Sequence, residues 1–370
     1  MLKKWITSQW RRMNQSVAPY KKKYDLVSSR GFWDYLPDQF LCLAPMADVT
    51  DVAFRRMFAR YGKPDITWTE FVSADGLLLR PSSPNATTET EHEKIAGEYG
   101  ISSDHPLLRD LLYDEGERPI VAQFFSRDIE RMEKVASLAH DLGYDGIDIN
   151  MGCPAKVICK QGAGAAMIKD PEHAQKIIQA AICGSKGIPV SVKTRVGFNR
   201  DELDTWLPAL IHANPVAISL HARTRKDMSK VPSDWDYLKR AVAIRDNINP
   251  NVKIIGNGDI RSRQEAYDRM NETGCDGAMI GRGIFGNPWF FNPEISKEDL
   301  APKVILDALI EHTALFEKYL GDVKSFYIMK KHFKAYVSGW DGAKELRTRL
   351  IQETESLDQV KEIIDSYLGR

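Results

Sequence analysis

Residues 147 to 168, Ile-Asp-Ile-Asn-Met-Gly-Cys-Pro-Ala-Lys-Val-Ile-Cys-Lys-Gln-Gly-Ala-Gly-Ala-Ala-Met-Ile, hold the densest group of reactive side chains in this 370-residue chain. An apolar strand runs into Asn150, and a turn set by Gly152 and Pro154 presents the thiol of Cys153. A thiol just past a strand end, beside a polar amide and the basic Lys156, is placed for proton transfer. The plain alternative is a buried cysteine in a turn, since free cysteine often serves as a small apolar residue. Other polar residues recur through the chain: Gln123, Lys193, Arg195, His221, Arg223, Asn257, Asp259 and Arg282. Singly, each has a structural reading. Gln123 can cap a strand, Lys193 can pair with a carboxylate, and a histidine such as His221 is more often a hydrogen-bonded core residue. As a set they need a scaffold that carries them to one face.

The sequence supplies one. Short, apolar, often β-branched runs at Phe40–Leu43, Ile66–Val72, Pro119–Phe125, Gly146–Asn150, Pro189–Thr194, Ala217–His221, Lys253–Asn257 and Gly277–Ile280 read as buried parallel strands. Helical segments lie between most of them, at 51–61, 128–142, 171–183, 203–213, 235–246 and 262–272. Eight such units predict an α/β fold, a (β/α)8 TIM barrel, rather than an open sheet. The stretch 75–118 exceeds what a crossover needs and reads as an insertion, with a loop-like, flap-like Ser82–Thr88 inside it. After Pro293 the strand signal stops, and four helices are predicted at Val304–Leu320, Ser325–Val337, Ala343–Gln352 and Leu357–Leu368. The expected organisation is a basic N-terminal extension over 1–36, a barrel over 37–296 and a smaller all-helical C-terminal domain over 297–370.

In such a barrel function collects at the C-terminal ends of the strands. The first strand ends in Ala44-Pro45-Met46-Ala47, whose backbone can meet a flat ring. The third carries Gln123, the fourth Asn150 and Cys153, the fifth Lys193 and Arg195, and the sixth His221 and Arg223. The seventh and eighth end in Gly256-Asn257-Gly258-Asp259 and Gly281-Arg282-Gly283. Glycine-rich turns at these two ordinals are where barrels commonly hold a phosphate on exposed amides. A phosphate there, with Gln123 and Lys193 deeper in and Pro45-Met46 under a ring, outlines a flavin mononucleotide (FMN) pocket. No Gly-x-Gly-x-x-Gly follows an early strand, so a dinucleotide-binding Rossmann unit is not indicated.

Composition narrows the class further. Five cysteines without a Cys-x-x-Cys pair or a His-x-x-x-His partner argue against a disulfide framework or a zinc site. No apolar run approaches the roughly 20 residues of a membrane span. The formal net charge is zero, yet residues 1–30 hold eight basic residues against one acid and residues 323–349 hold seven against two. Basic ends on a neutral body fit a polyanion such as nucleic acid, and they fit plain solvated charge equally well. The acid-free stretch Met1–Tyr24 suits a surface helix, a phosphate-touching arm or an organelle transit peptide. An extension that stays on the protein, in a reducing, soluble compartment, is the expectation.

Several separated blocks resemble the tRNA-dihydrouridine synthases over roughly residues 38–350. They are Ala44-Pro45-Met46-Ala47-Asp48-Val49-Thr50-Asp51, Asn150-Met151-Gly152-Cys153-Pro154, Val192-Lys193-Thr194-Arg195, Leu220-His221-Ala222-Arg223-Thr224, Gly256-Asn257-Gly258-Asp259-Ile260, Ile280-Gly281-Arg282-Gly283 and Met329-Lys330-Lys331-His332-Phe333. The resemblance implies FMN as cofactor, NADPH or NADH as reductant, and a tRNA uridine as substrate. It also implies work in the cytoplasm; a monomer is the expected form. By this resemblance Pro45, Met46, Ala47, Gln123, Lys193, His221, Asn257, Gly258, Asp259, Gly281 and Arg282 bind the flavin, and Cys153 is the catalytic acid. Asn150, Lys156, Arg195 and Arg223 become candidates for the substrate, and Lys330, Lys331, Lys334 and Arg347 for the RNA backbone. Asp48 stands where many members have glycine, which leaves the turn there open.

Two rivals fit parts of the pattern. Another flavin barrel, such as a dihydroorotate dehydrogenase or an ene-reductase, would act on a free small molecule and need no basic helices. A non-catalytic RNA-binding barrel would carry no flavin and would purify colourless.

Overall fold

A computed structural model describes residues 30–79 and 90–370. Most of the N-terminal extension and the Ser82–Thr88 loop therefore lie outside the described residues. Eight strands form one parallel sheet: β1 (Phe40–Leu43), β2 (Thr67–Ser73), β3 (Ile120–Phe125), β4 (Gly146–Asn150), β5 (Val190–Arg195), β6 (Ala217–His221), β7 (Lys253–Asn257) and β8 (Gly277–Ile280). Each is within a residue of its sequence expectation. The order β1-β8-β7-β6-β5-β4-β3-β2 turns into a ring where Cys42 bridges Ile66 and the Leu43 amide donates to Ile66 O at 3.1 Å. Parallel strands buried on both faces explain the apolar runs.

Helices cover the outside: α1 (Val52–Tyr61), α2 (Ala74–Leu79), α3 (Glu91–Glu98), α4 (Pro106–Asp110), α5 (Ile129–Asp141), α6 (Lys156–Lys160), α7 (Pro171–Gly184), α8 (Leu203–His212), α9 (Asp236–Ile248) and α10 (Arg263–Thr273). Side-chain caps set the starts of several. Asp51 accepts from the Phe54 amide at 2.9 Å, Asp128 from Arg131 at 3.0 Å, and Ser262 from Glu265 at 3.1 Å. Each satisfies a first-turn donor that the helix itself cannot. The inserted segment holds α2, α3 and α4, and a capping box of Thr90 and Glu93 opens α3. Its far end is pinned by a fully buried ion pair, Arg55 Nε to Glu117 Oε2 at 2.7 Å. Removing one partner would strand a buried charge, at a cost of about 3–5 kcal/mol.

The strand interiors alternate by two, which sorts side chains between the ring's inside and its helical shell. At the N-terminal end the inside is closed by aromatic packing of Phe32, Trp33, Phe40 and Trp68. Phe40 fills the place of a side chain at Gly277, where a Cβ would come within 2.3 Å of its ring. Among the described residues that end is filled by side chains, and the cavity lies at the opposite mouth.

After β8 come α11 (Pro302–Leu320), α12 (Tyr327–Tyr336), α13 (Ala343–Glu353) and α14 (Leu357–Leu368). These helices share one apolar core with Val52, Ala53 and Met57 of α1. The bundle is thus docked on the first helix of the barrel. Tyr61 Oη donates to Glu311 at 2.6 Å, and Lys324 bridges Glu70 of β2 at 2.7 Å and Asp110 at 2.8 Å.

Candidate active site

A cavity of about 300 Å³ opens at the C-terminal mouth of the ring. Its wall contains Pro45, Met46, Asn150, Cys153, Lys193, Arg195, His221, Arg223, Asn257, Gly258, Asp259, Gly281 and Arg282. Residues up to 237 positions apart in the chain, from Pro45 to Arg282, meet there because each follows or ends a strand.

On the β4 side, the Asn150 carboxamide organises the turn. Its Oδ1 accepts from the amides of Gly152 at 3.1 Å and Cys153 at 2.8 Å. Arg195 Nε donates to Gly152 O at 2.8 Å, so the peptide before the thiol is held on both edges. The Ala165 amide donates to Cys153 O at 3.0 Å. Gly164 has φ +59°, and a Cβ there would sit 2.9 Å from Cys153 O. Glycine at 164 is therefore required by backbone conformation and by space. Burial pushes the Cys153 thiol above its ordinary pKa. It stays protonated at neutral pH, as a proton donor must.

Across the cavity, Lys193 Nζ donates to Asn257 Oδ1 at 3.1 Å, while Asn257 Nδ2 donates to Met279 O at 2.8 Å. Burial, reinforced by Arg195, lowers the Lys193 pKa to about 8. Its ammonium is charged at pH 7 and readily given up above that. His221 is held well below its ordinary pKa by burial and by the surrounding Arg195, Lys193 and Arg223. The neutral ring accepts from Arg223 at Nε2 over 3.1 Å, which assigns the ring proton to Nδ1.

Close packing of the backbone requires glycine in the turns after β7 and β8. Gly258 has φ +141°, with Ser233 Cβ 2.7 Å from where its own Cβ would stand. At Gly283 a Cβ would lie 2.2 Å from Ile260 O. Asp259 accepts from Arg223 and, at 2.8 Å, from Arg282, and so aims both guanidiniums. Four cationic side chains face one carboxylate on this wall. That balance favours an anion, and Pro45 and Met46 supply apolar wall that a ring can lie against. The donor set therefore fits FMN: Lys193, Asn257 and His221 toward the ring, Arg282 and the glycine amides toward the phosphate.

The β1 turn is built with comparable care. Asp48 adopts φ +54°, the left-handed conformation that glycine takes most easily and aspartate tolerates. The turn expected for glycine is thus kept by a different residue. Glu70 accepts from the Asp48 amide and Lys331 Nζ donates to the Asp48 carbonyl. Lys331, a sequence candidate for RNA, is half-buried and engaged in this clasp.

Other candidates stand apart from the cavity wall. Ala47 is exposed beside it, and Lys156 is exposed at the start of α6. Gln123 is fully buried one layer beneath, between Asp148 and Asn150. Arg347 donates to Val337 O at 3.1 Å and closes the end of α12. Lys330 and Lys334 lie on the outer face of α12, more than 40 residues beyond the last strand. Several wall residues carried no signal in the sequence: Phe71, Met228, Ser229 and Met279. Phe71 comes from β2, the strand for which no tip residue was picked out in the sequence. Met228 and Ser229 come from the long loop after β6, whose length was the available clue.

Known proteins match this architecture along nearly the whole chain. The family model described as dihydrouridine synthase (Dus) matches residues 42–367. A probable tRNA-dihydrouridine synthase of Staphylococcus epidermidis is 38% identical over 341 residues, covering 92% of this chain and 97% of the relative. A probable tRNA-dihydrouridine synthase 2 of Bacillus subtilis is 35% identical over 341 residues, with the same 92% and 97% coverage. Among solved structures, morphinone reductase aligns with a TM-score of 0.44 and 11% identity, covering 68% of this chain and 84% of that one, a likeness too distant to bear on function. With the family pattern spanning barrel and helices alike, the chain belongs to the dihydrouridine synthase family.

Proposed function

We propose that this protein reduces the C5=C6 bond of a tRNA uridine, with NADPH or NADH as the electron source and Cys153 as the proton donor. The observation that carries this reading is the placement of one protonated thiol on the cavity wall, opposite the groups suited to FMN. The family is FMN-dependent, and when bound the flavin supplies the hydride that goes to C6 of the base.

The chain's own residues do the rest. Lys193 places a positive charge where the cofactor ring gains electrons, and His221 stays neutral beside it. Arg282 and the amides after β7 and β8 hold the phosphate. Cys153 Sγ, protonated and on the cavity wall, would deliver its proton to C5. Asn150 and Arg195 hold the thiol's loop in place. The uridine must leave its stack, at a cost of about a few kcal/mol. Contacts of Lys330 and Lys334 with RNA phosphates offset part of that cost. Among the described residues no helix is long and apolar enough to cross a membrane, in keeping with work on tRNA in the cytoplasm.

The test is incubation of the yellow protein with NADPH and an unmodified tRNA transcript, followed by mapping of dihydrouridine. One or a few fixed uridines should be converted. Turnover of free uracil or orotate without any conversion of tRNA would defeat the reading in favour of a small-molecule reductase.

A further inference from the structure

Below Asn150 lies a row of buried polar side chains, Gln123, Asp148 and Ser191, that the chemistry above does not use. Asp148 and Gln123 are 0% exposed and Asn150 is 6% exposed. They stand in register on adjacent strands, Gln123 of β3 opposite Asp148 of β4, and Asp148 opposite Ser191 of β5. Ser191 Oγ donates to Asp148 Oδ1 at 2.5 Å, and Gln123 Nε2 donates to Asp148 Oδ2. Asn150 Nδ2 donates to Gln123 Oε1 at 3.0 Å, and Asn150 Oδ1 accepts the Gly152 and Cys153 amides.

We propose that Asp148 is a positioning residue for the reaction, setting the orientation of the Cys153 loop through the carboxamides of Gln123 and Asn150. This rests on the reading of Cys153 as proton donor. The argument is one of direction. A carboxamide has nearly the same shape whichever way it is turned, so its orientation is fixed by what its neighbours donate or accept. Two backbone amides at 152 and 153 demand an oxygen from Asn150. The Asn150 nitrogen then demands an oxygen from Gln123. The Gln123 nitrogen in turn demands an acceptor at position 148. An ionised carboxylate offers only acceptors, so it determines the sense of every bond above it. A residue needed only to fill space at 148 would be apolar, because burying a carboxylate is costly. Burial pushes the Asp148 carboxyl up to about 6, and two hydrogen bonds and the nearby Lys193 charge oppose that enough to leave it mostly ionised at pH 7. An ångström of drift at the thiol is enough to slow proton transfer severely. Asp148 does not line the cavity and reaches the Cys153 amide only through Gln123 and Asn150, which makes its influence indirect.

The test compares flavin-loaded Asp148→Leu and Asp148→Asn with wild type on unmodified tRNA and NADPH, at pH 7. It also follows alkylation of Cys153 by iodoacetamide without tRNA, read by peptide mass mapping. Asp148→Leu should keep its flavin and hold KM for tRNA within about twofold, while kcat falls at least about tenfold. Its Cys153 alkylation rate should shift by roughly threefold or more in either direction. Asp148→Asn should recover most of both losses, because its amide oxygen can take the Gln123 N–H while Ser191 turns to accept its nitrogen. A flavin-loaded Asp148→Leu with wild-type kcat and alkylation rate overturns the proposal. So does an Asp148→Asn as damaged as Asp148→Leu. If the leucine variant does not fold, Gln123→Met breaks the same chain one link higher and is judged by the same two outcomes. A wild type that makes no dihydrouridine defeats the functional reading alone, and the alkylation comparison still decides whether Asp148 holds the loop.

Discussion

The barrel mouth and the seam between barrel and helical bundle both bury ionisable side chains, and they treat them in opposite ways. At the mouth, Asp148, Gln123, Asn150, Lys193 and Asn257 are each tied to a named partner. At the seam, His312 of α11 and His332 of α12 are fully buried with no hydrogen-bond partner on any of their four ring nitrogens. Their rings lie 4.7 Å apart, packed among Phe54, Phe285 and Tyr336. The first arrangement fixes direction, since each donor has one acceptor. The second uses imidazole as a flat apolar plate and leaves its nitrogens idle, which costs stability for each unsatisfied group. Polar burial therefore marks function here only where it is satisfied.

The sharpest way to break the comparison is at the mouth. Cys153→Ala should keep its yellow colour and lose about 10²–10⁴ in turnover on unmodified tRNA, the usual worth of a positioned acid. Dihydrouridine formation at the wild-type rate would remove the thiol from the mechanism.

A smaller effect belongs to the outer face of α12. Lys330→Ala combined with Lys334→Ala should weaken tRNA binding and reduce the slope of log affinity against log salt by about two. Flavin content should not change. Lys331→Ala is expected to behave differently, loosening the Asp48 turn instead of altering the salt slope, because its ammonium is already engaged there.

The smallest effect lies at the seam and is visible only in acid. Burial lowers the His312 pKa to about 3 and holds His332 well below its ordinary value. In the unfolded chain both titrate near 6.5. The unfolded form therefore binds more protons below that pH, and stability falls as pH drops below about 6.5. His312→Leu should flatten the fall in melting temperature between pH 6.5 and 4.5 while leaving turnover at pH 7.5 near wild type. An unchanged acid slope would show that other groups govern it.

The barrel was legible because buried parallel strands write themselves as short apolar runs, and all eight emerged within a residue of their observed limits. The strand tips were legible for a related reason, since polarity at the end of an apolar run has few uses. Depth was harder to read. Gln123 lies two residues before the end of β3, so it faces inward beneath the cavity and not onto it. Asp148 stands two residues before Asn150 on β4 and so shares its face, yet it was not singled out in the sequence, and its partners on β3 and β5 come only from register. Contacts between distant segments left no trace at all. Lys331 meets Asp48 across 283 positions, and nothing local to either residue announces the other. The same holds for His332, where the Met329–Phe333 block turns out to mix half-buried lysines with a packed ring.

Asp48 has one further consequence. Its amide is taken by Glu70, which Lys324 grips, and its carbonyl is taken by Lys331. The bend that presents Met46 to the cavity is thus fastened by two ammonium groups from beyond the last strand. Helices and barrel do not form interchangeable modules. A chimera that fitted this barrel with another protein's bundle would inherit an intact first loop only if the donor brought a positive charge to both places.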